Sequence, residues 1–168
     1  MSIIALLQMD ATVGDLNGNA NRLSLLAQQA HDEGATIGVS TELAVCGYPP
    51  RDLLLEQDFI QHSLDVALNI RVPIPLLVGT PIPPQDDRSL PTNGVIRCGP
   101  DVASITADKS SRVVAQKQLL PTYDVFDEAR YFAAENRSGL ARSIGGMTLG
   151  VTVCEDAWQS AGKTPSAY

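Results

Sequence analysis

Short apolar runs, separated by two stretches of helical periodicity, constrain this chain most. Residues 2–9 (SIIALLQM) read as a buried strand, and TVGDLNGN behind them is a loop rich in Gly and Asn. Leu23, Leu26, Ala27 and Ala30 then recur at helical spacing, which predicts an amphipathic helix over 19–33 with Gly34 just beyond its end. ATIGVS, 35–40, is a second strand; CGYPPRD, 46–52, is turn-rich; Ile60, Leu64, Ala67 and Leu68 give an apolar face to one or two helices over 52–69. PLLVGT, 75–80, is a third strand. PIPPQDDRSLPTNG is expected to be a surface loop, since its four prolines oppose regular structure. NGVIRC, DVASITA and RVVAQ are further strand candidates, with DKSS a turn before RVVAQ. LLPTYDVFDEARYF fits a loop with a short helical turn. Leu140–Ile144, Gly145-Gly146 and MTLGVTV predict a hairpin with a two-residue turn. Helices that fall between strands indicate a layered α/β domain.

Three chemically capable side chains follow strand candidates directly. Glu42 lies just past ATIGVS, Lys117 follows RVVAQ, and Cys154 ends MTLGVTV and is followed at once by Glu155 and Asp156. Sites gather at the C-terminal edge of strands in layered α/β folds. A thiol attacks a carbonyl as thiolate, an adjacent carboxylate can take its proton and return it to a leaving amine, and a lysine ammonium can stabilise the oxyanion. A nearby lysine is also expected to favour the thiolate. Taken singly, each residue has an ordinary reading: a solvated Glu, an edge-capping Lys, a packed Cys.

The bulk numbers narrow the class. The chain has 168 residues, 44% hydrophobic content and a net charge of −7, which suits one domain with a core. An acidic chain without basic runs argues against nucleic acid as a partner. No apolar run reaches the ~20 residues that span a bilayer, and the start MSIIALLQMD has no positively charged export signal. Three widely spaced cysteines, Cys46, Cys98 and Cys154, favour free thiols in a reducing cytoplasm. His31 and His62 form no metal-ligand spacing with them and read as helix-surface residues, so no metal is expected.

TELAVCGYPPRDLL, KQLLPTYDVFDEARYF and GVTVCEDAW, in this order, resemble the three blocks of the nitrilase (carbon–nitrogen hydrolase) superfamily. GYPPRDLL and LPTYDVFDEARYF point to the branch formed by the glutaminase domains of glutamine-dependent NAD+ synthetases. The resemblance runs from the opening strand through CEDAW. It implies an αββα sandwich of two mixed sheets, incomplete at the C-terminus, which associates with copies of itself through helical faces. Residue by residue, it implies Cys154 as nucleophile on the glutamine side-chain amide, Glu42 as general base and then acid, and Lys117 as oxyanion stabiliser, with the backbone N–H of Glu155 as a second donor. Tyr123 matches a glutamine-contacting position. Glu128 would support Glu42 or Lys117, or else pair with Arg130. Tyr48 would line the pocket, or else pack beside Pro49. Cys46, Cys98 and Trp158 read as packing residues.

The same resemblance implies L-glutamine as substrate and no cofactor in this chain. ATP and nicotinic acid adenine dinucleotide would bind a synthetase domain or chain that receives the ammonia. The synthetase part is absent from these 168 residues, and the chain stops 14 residues after Cys154, short of a whole nitrilase domain. A free-standing amidase and a truncated relic that binds a partner are the rival readings. One local departure is Ser40-Thr41, where the family commonly has Phe-Pro; two hydroxyls there are expected to hydrogen-bond Glu42 and weaken it as a base.

Overall fold

A computed structural model describes residues 2–86, 89–100, 112–135 and 142–158. Five strands form one mixed sheet in chain order: β1 (Ile4–Leu7), β2 (Ile37–Ser40), β3 (Leu76–Ile82), β4 (Thr92–Cys98) and β5 (Val113–Gln116). β1, β2 and β3 pair parallel, and β3, β4 and β5 pair antiparallel. The parallel pairs need crossovers, which α1 (Leu16–Asp32) and α2 (Gln57–Leu68) supply.

Successive residues of β3 show how the layers form. Leu76 and Val78 join the cluster built with Leu23 and Ala27 of α1 and Ile60 and Ala67 of α2. Leu77, between them, points to the other face and packs with Ile37, Val114 and Ile144. That opposite face is covered by a hairpin, β6 (Arg142–Ile144) and β7 (Met147–Leu149), joined through Gly145-Gly146. Helices on one face and a second sheet on the other are two of the junctions of an αββα sandwich. Among the described residues the second sheet is this antiparallel pair. Each fully buried Leu or Ile contributes roughly 1.5–3 kcal/mol to the assembly. Beyond the hairpin, Ile4 and Leu6 remain 43% and 79% exposed.

Boundaries differ from the sequence expectation where capping or pairing overrides composition. α1 begins at Leu16, not at 19, because the Asp15 carboxylate accepts a hydrogen bond from Gly18 N–H at 3.0 Å and caps the helix early. It ends as expected: Gly34, at φ +91°, donates to the His31 carbonyl at 2.9 Å. The proline-rich loop is shorter than expected. β3 continues through Pro81 and Ile82, and β4 starts at Thr92, with Pro81 opposite Asn93. Pro81 is tolerated because β2 pairs only with Leu76 and Leu77, so the end of β3 has one partner strand. Region 52–69 resolves into a 3-10 turn, Arg51–Leu55, and α2. The candidates DVASITA and DKSS, and the tail after Trp158, lie outside the described residues. No helix among the described residues is long and apolar enough to cross a membrane.

Candidate active site

The Glu42 segment is shaped by its landing place on β3. After Ser40 the chain leaves β2 and folds over Gly79, where Val45 N–H donates to the Gly79 carbonyl at 3.3 Å. A Cβ on Gly79 would lie 2.6 Å from Leu43 N and 2.7 Å from Thr41 O, so only glycine lets the two backbones meet. Leu43, fully buried, adopts φ +48° to turn the chain here. The hydroxyl of Ser40 serves this junction: it accepts from Gly79 N–H at 3.0 Å and donates to the Thr41 carbonyl at 2.9 Å. These contacts turn the Ser40 hydroxyl to the backbone of Gly79 and Thr41, and the hydrogen bonds found for the Glu42 carboxylate come from Asn93 and Lys117.

Lys117 leaves β5 into the interior and is completely buried. Its ammonium sits between two carboxylates, 2.8 Å from Glu42 Oε1 and 2.9 and 2.7 Å from Glu128 Oε1 and Oε2. Its backbone is held on both sides: Lys117 N–H donates to Asn93 C=O at 2.8 Å, and its carbonyl accepts from Glu135 N–H at 3.1 Å. Burial pulls the Lys117 pKa down, but the Glu42 charge and hydrogen bonds to both carboxylates outweigh it, and the net shift is upward. Glu128 is raised, by burial first, against the opposing pull of Lys117. The sequence left Glu128 open between support of Glu42 or Lys117 and an ordinary ion pair with Arg130 or a nearby base; the structure pairs it with Lys117, from the expected short helical turn, Glu128–Arg130. Tyr48 donates its hydroxyl to Glu128 Oε1 at 2.8 Å, so it belongs to the same network and is more than a turn aromatic.

Cys154 is placed differently from the expectation. β7 stops at Leu149, residues 150–153 form no strand, and Cys154 opens a 3-10 turn, Cys154–Trp158. Its φ of +46° lies in the left-handed region, unusual for a residue with a side chain. The anchor is Asp156, which sequence reading gave no role. Its Oδ1 accepts from Gln118 N–H (3.0 Å) and Leu119 N–H (2.8 Å), and its Oδ2 accepts from Val153 N–H (3.4 Å). One carboxylate thereby ties the residue before Cys154 to the two residues after Lys117. Trp158, expected in the core, is 77% exposed, because this short turn directs Glu155 and Asp156 inward instead.

The Cys154 thiol is exposed, whereas Cys46 and Cys98 are buried and their pKa values are pushed by burial to about 12 and about 11. The Cys154 pKa is also raised, by partial desolvation, then by the charge of Glu42 and a hydrogen bond to it; Lys117 opposes this without prevailing. The lysine does favour the thiolate, as expected, but burial and Glu42 outweigh it, and the net shift is upward. Glu42, Asn93, Gly79, Val153 and Cys154 line a cavity of about 290 Å³. Tyr123, 43% exposed, donates to Glu155 Oε2 at 3.0 Å and meets Phe126 edge-on at 5.6 Å; neither Tyr123 nor Glu155 is among the residues lining that cavity.

The fold and site so built were compared with known proteins. No family model matches the chain. A glutamine-dependent NAD(+) synthetase of Synechocystis sp. is 36% identical over 167 residues, and one of Xylella fastidiosa 38% identical over 159 residues. Each alignment covers 94% of this chain and 28% of the relative, so the chain spans little more than a quarter of these proteins' length. Among solved structures, glutamine-dependent NAD+ synthetase from Acinetobacter baumannii superposes with a TM-score of 0.72 at 28% identity, covering 92% of this chain and 28% of that one. An amidase from Nesterenkonia sp. shares the fold, with a TM-score of 0.66 at 22% identity over 90% of this chain and 55% of its own.

Proposed function

We propose that this chain, which resembles the nitrilase-like N-terminal domain of glutamine-dependent NAD(+) synthetases, is a carbon–nitrogen hydrolase domain acting on the side-chain amide of L-glutamine. The observation that carries this reading is the trio of a buried Lys117 held between a buried Glu128 and a partly exposed Glu42, beside an exposed cysteine on a left-handed turn.

In this mechanism Glu42 takes the proton of Cys154 as the sulfur attacks the amide carbon. The carbonyl π pair moves to oxygen, giving a tetrahedral oxyanion. An ammonium has three N–H donors; Glu42 and Glu128 engage two, and the third is the donor available to the oxyanion, together with the Glu155 backbone N–H. Collapse breaks the C–N bond, Glu42 returns its proton to the leaving nitrogen, and ammonia departs from a thioester. Water, deprotonated by Glu42, attacks the thioester; glutamate leaves and the thiol is restored. Tyr123 would contact the bound glutamine; its hydrogen bond to Glu155, the neighbour of Cys154, supports that reading. No step needs a metal or a cofactor.

The ammonia would pass to a synthetase domain or chain that binds ATP and nicotinic acid adenine dinucleotide and amidates the latter to NAD+. The relatives' names and length support that partnership. Association of copies through helical faces remains part of the proposal, as does residence in the cytoplasm, to which the three free cysteines lend support.

The test is covalent trapping with an electrophilic glutamine analogue, located by peptide mass, alongside ammonia release from L-glutamine. Labelling of Cys154 over Cys46 and Cys98, abolished in Cys154→Ala, is the expected result. A folded chain that shows neither selective labelling nor ammonia release would overturn the reading.

A further inference from the structure

Asn93, the second residue of β4, is completely buried and is not explained by packing. Its side-chain N–H donates to Glu42 Oε1 at 2.7 Å. Its orientation is fixed by charge, since the amide oxygen in that position would face a carboxylate. Its main-chain carbonyl accepts from Lys117 N–H at 2.8 Å. One residue thus holds both the carboxylate and the backbone of the lysine. The arrangement has a cost: Asn93 Oδ1 is buried with no hydrogen-bond partner among the described residues, a defect worth about 1–3 kcal/mol. An aliphatic residue at this strand position would avoid that cost and lose only the donor to Glu42. Lys117 and Asn93 both approach Oε1, so Oε2 is the oxygen left to accept the thiol proton.

We propose that Asn93 is a positioning residue for Glu42: it holds Oε1 and so fixes which carboxylate oxygen faces Cys154. The inference rests on the amide-hydrolysis reading for its catalytic meaning, but not for its test. A donor to a carboxylate favours the ionised form, and removing it favours the protonated one.

The experiment compares Asn93→Leu and Asn93→Asp with the wild-type chain. Rates of glutamine hydrolysis are measured across pH, and in parallel the titration of the Glu42 carboxyl is followed by carbon-13 NMR. In Asn93→Leu the acid limb of hydrolysis and the carboxyl titration are both expected to move to higher pH by about 1 unit, with kcat down roughly 10–100-fold and KM within ~3-fold. Asn93→Asp has the same shape and is expected to move both further, because it adds a like charge beside Glu42. If Asn93→Leu fails to fold by circular dichroism, Asn93→Asp carries the comparison. Titrations that stay at the wild-type pH, with only the rate reduced, would overturn the inference. A wild-type chain that releases no ammonia would sink the hydrolase reading alone; the carboxyl titrations, which need no turnover, would still decide the role of Asn93.

Discussion

Lys117→Met tests whether the buried cation holds the site together. Methionine keeps an unbranched apolar stem and removes the charge. The side chain of Lys117 is 0% exposed, that of Glu128 6% and that of Glu42 19%. The variant therefore leaves one carboxylate buried without a counter-charge and a second half-shielded. Breaking a buried ion pair in this way costs about 3–5 kcal/mol, a large share of the ~5–15 kcal/mol that holds a domain folded. Urea unfolding followed by far-ultraviolet circular dichroism at pH 7 measures the loss; the one tryptophan, Trp158, is too exposed to report on the core.

Two further readouts separate this argument from simple loss of packing. The double variant Lys117→Met/Glu128→Gln removes the stranded charge and is expected to recover most of the loss. The pH dependence has a fixed sign. Lys117 is raised above 10.5, so its contribution is complete below that pH and is lost as pH rises through its higher folded value. The variant lacks that alkaline loss. Glu128 is raised above 4.5, so its contribution is likewise complete below 4.5 and declines as pH climbs through its folded value. Removing Lys117 pushes Glu128 higher still, so the deficit of the variant shrinks toward pH 4.5. A Lys117→Met chain within ~1 kcal/mol of wild type, or a double variant no more stable than the single one, would refute the reasoning.

Two other perturbations follow from the same contacts. Asp156→Ala removes three backbone hydrogen bonds to a largely buried carboxylate and is expected to cost about 2–4 kcal/mol, whereas Asp156→Asn, which keeps Oδ1, costs less than half of that; equal losses by urea titration would count against the anchor. Gly79→Ala places a methyl group 2.6 Å from Leu43 N, so the Glu42 loop must lift. Cys154 trapping is expected to fall at least ~10-fold, and an unchanged trapping rate would show that the loop gives way freely.

Much of the architecture is written locally and was legible. Apolar runs at 4–7, 37–40 and 76–80, helical spacing from Leu23 to Ala30, and Gly145-Gly146 each encode their element within a few residues. Glu42 and Lys117 stand just past strands, as read from the sequence, whereas Cys154 was singled out by an expected strand that stops at Leu149, so the family resemblance of the three blocks carried that choice. The features that escaped depend on partners distant in the chain. Asn93 reaches Glu42 across 51 residues, and nothing around Asn93 announces a carboxylate. Asp156 gains its role from the N–H groups of Gln118 and Leu119, which follow the end of β5 and lie 37–38 residues before it in the chain. Apolar character in Val151 and Val153 suggested a strand up to Cys154, but these residues pack without a ladder partner. Ser40 looked like a partner for its sequence neighbour Glu42, yet the nearer need was the exposed edge of β3 at Gly79.

The upward-shifted thiol of Cys154 has a consequence for oxidative damage. Peroxide attacks the thiolate, first to sulfenic acid and then, irreversibly, to higher oxides. An exposed cysteine at a reactive site would ordinarily be vulnerable, and a lysine that held it ionised would make it more so. Here partial burial first, and then the charge of Glu42, push the thiol pKa upward against the opposing pull of Lys117, which disfavours the thiolate. On the proposed mechanism, nucleophilicity would appear only when a carbonyl is in place to receive the electron pair and Glu42 takes the proton in the same event. The resting protein would then leave this sulfur open to solvent while offering oxidants little of the form they consume.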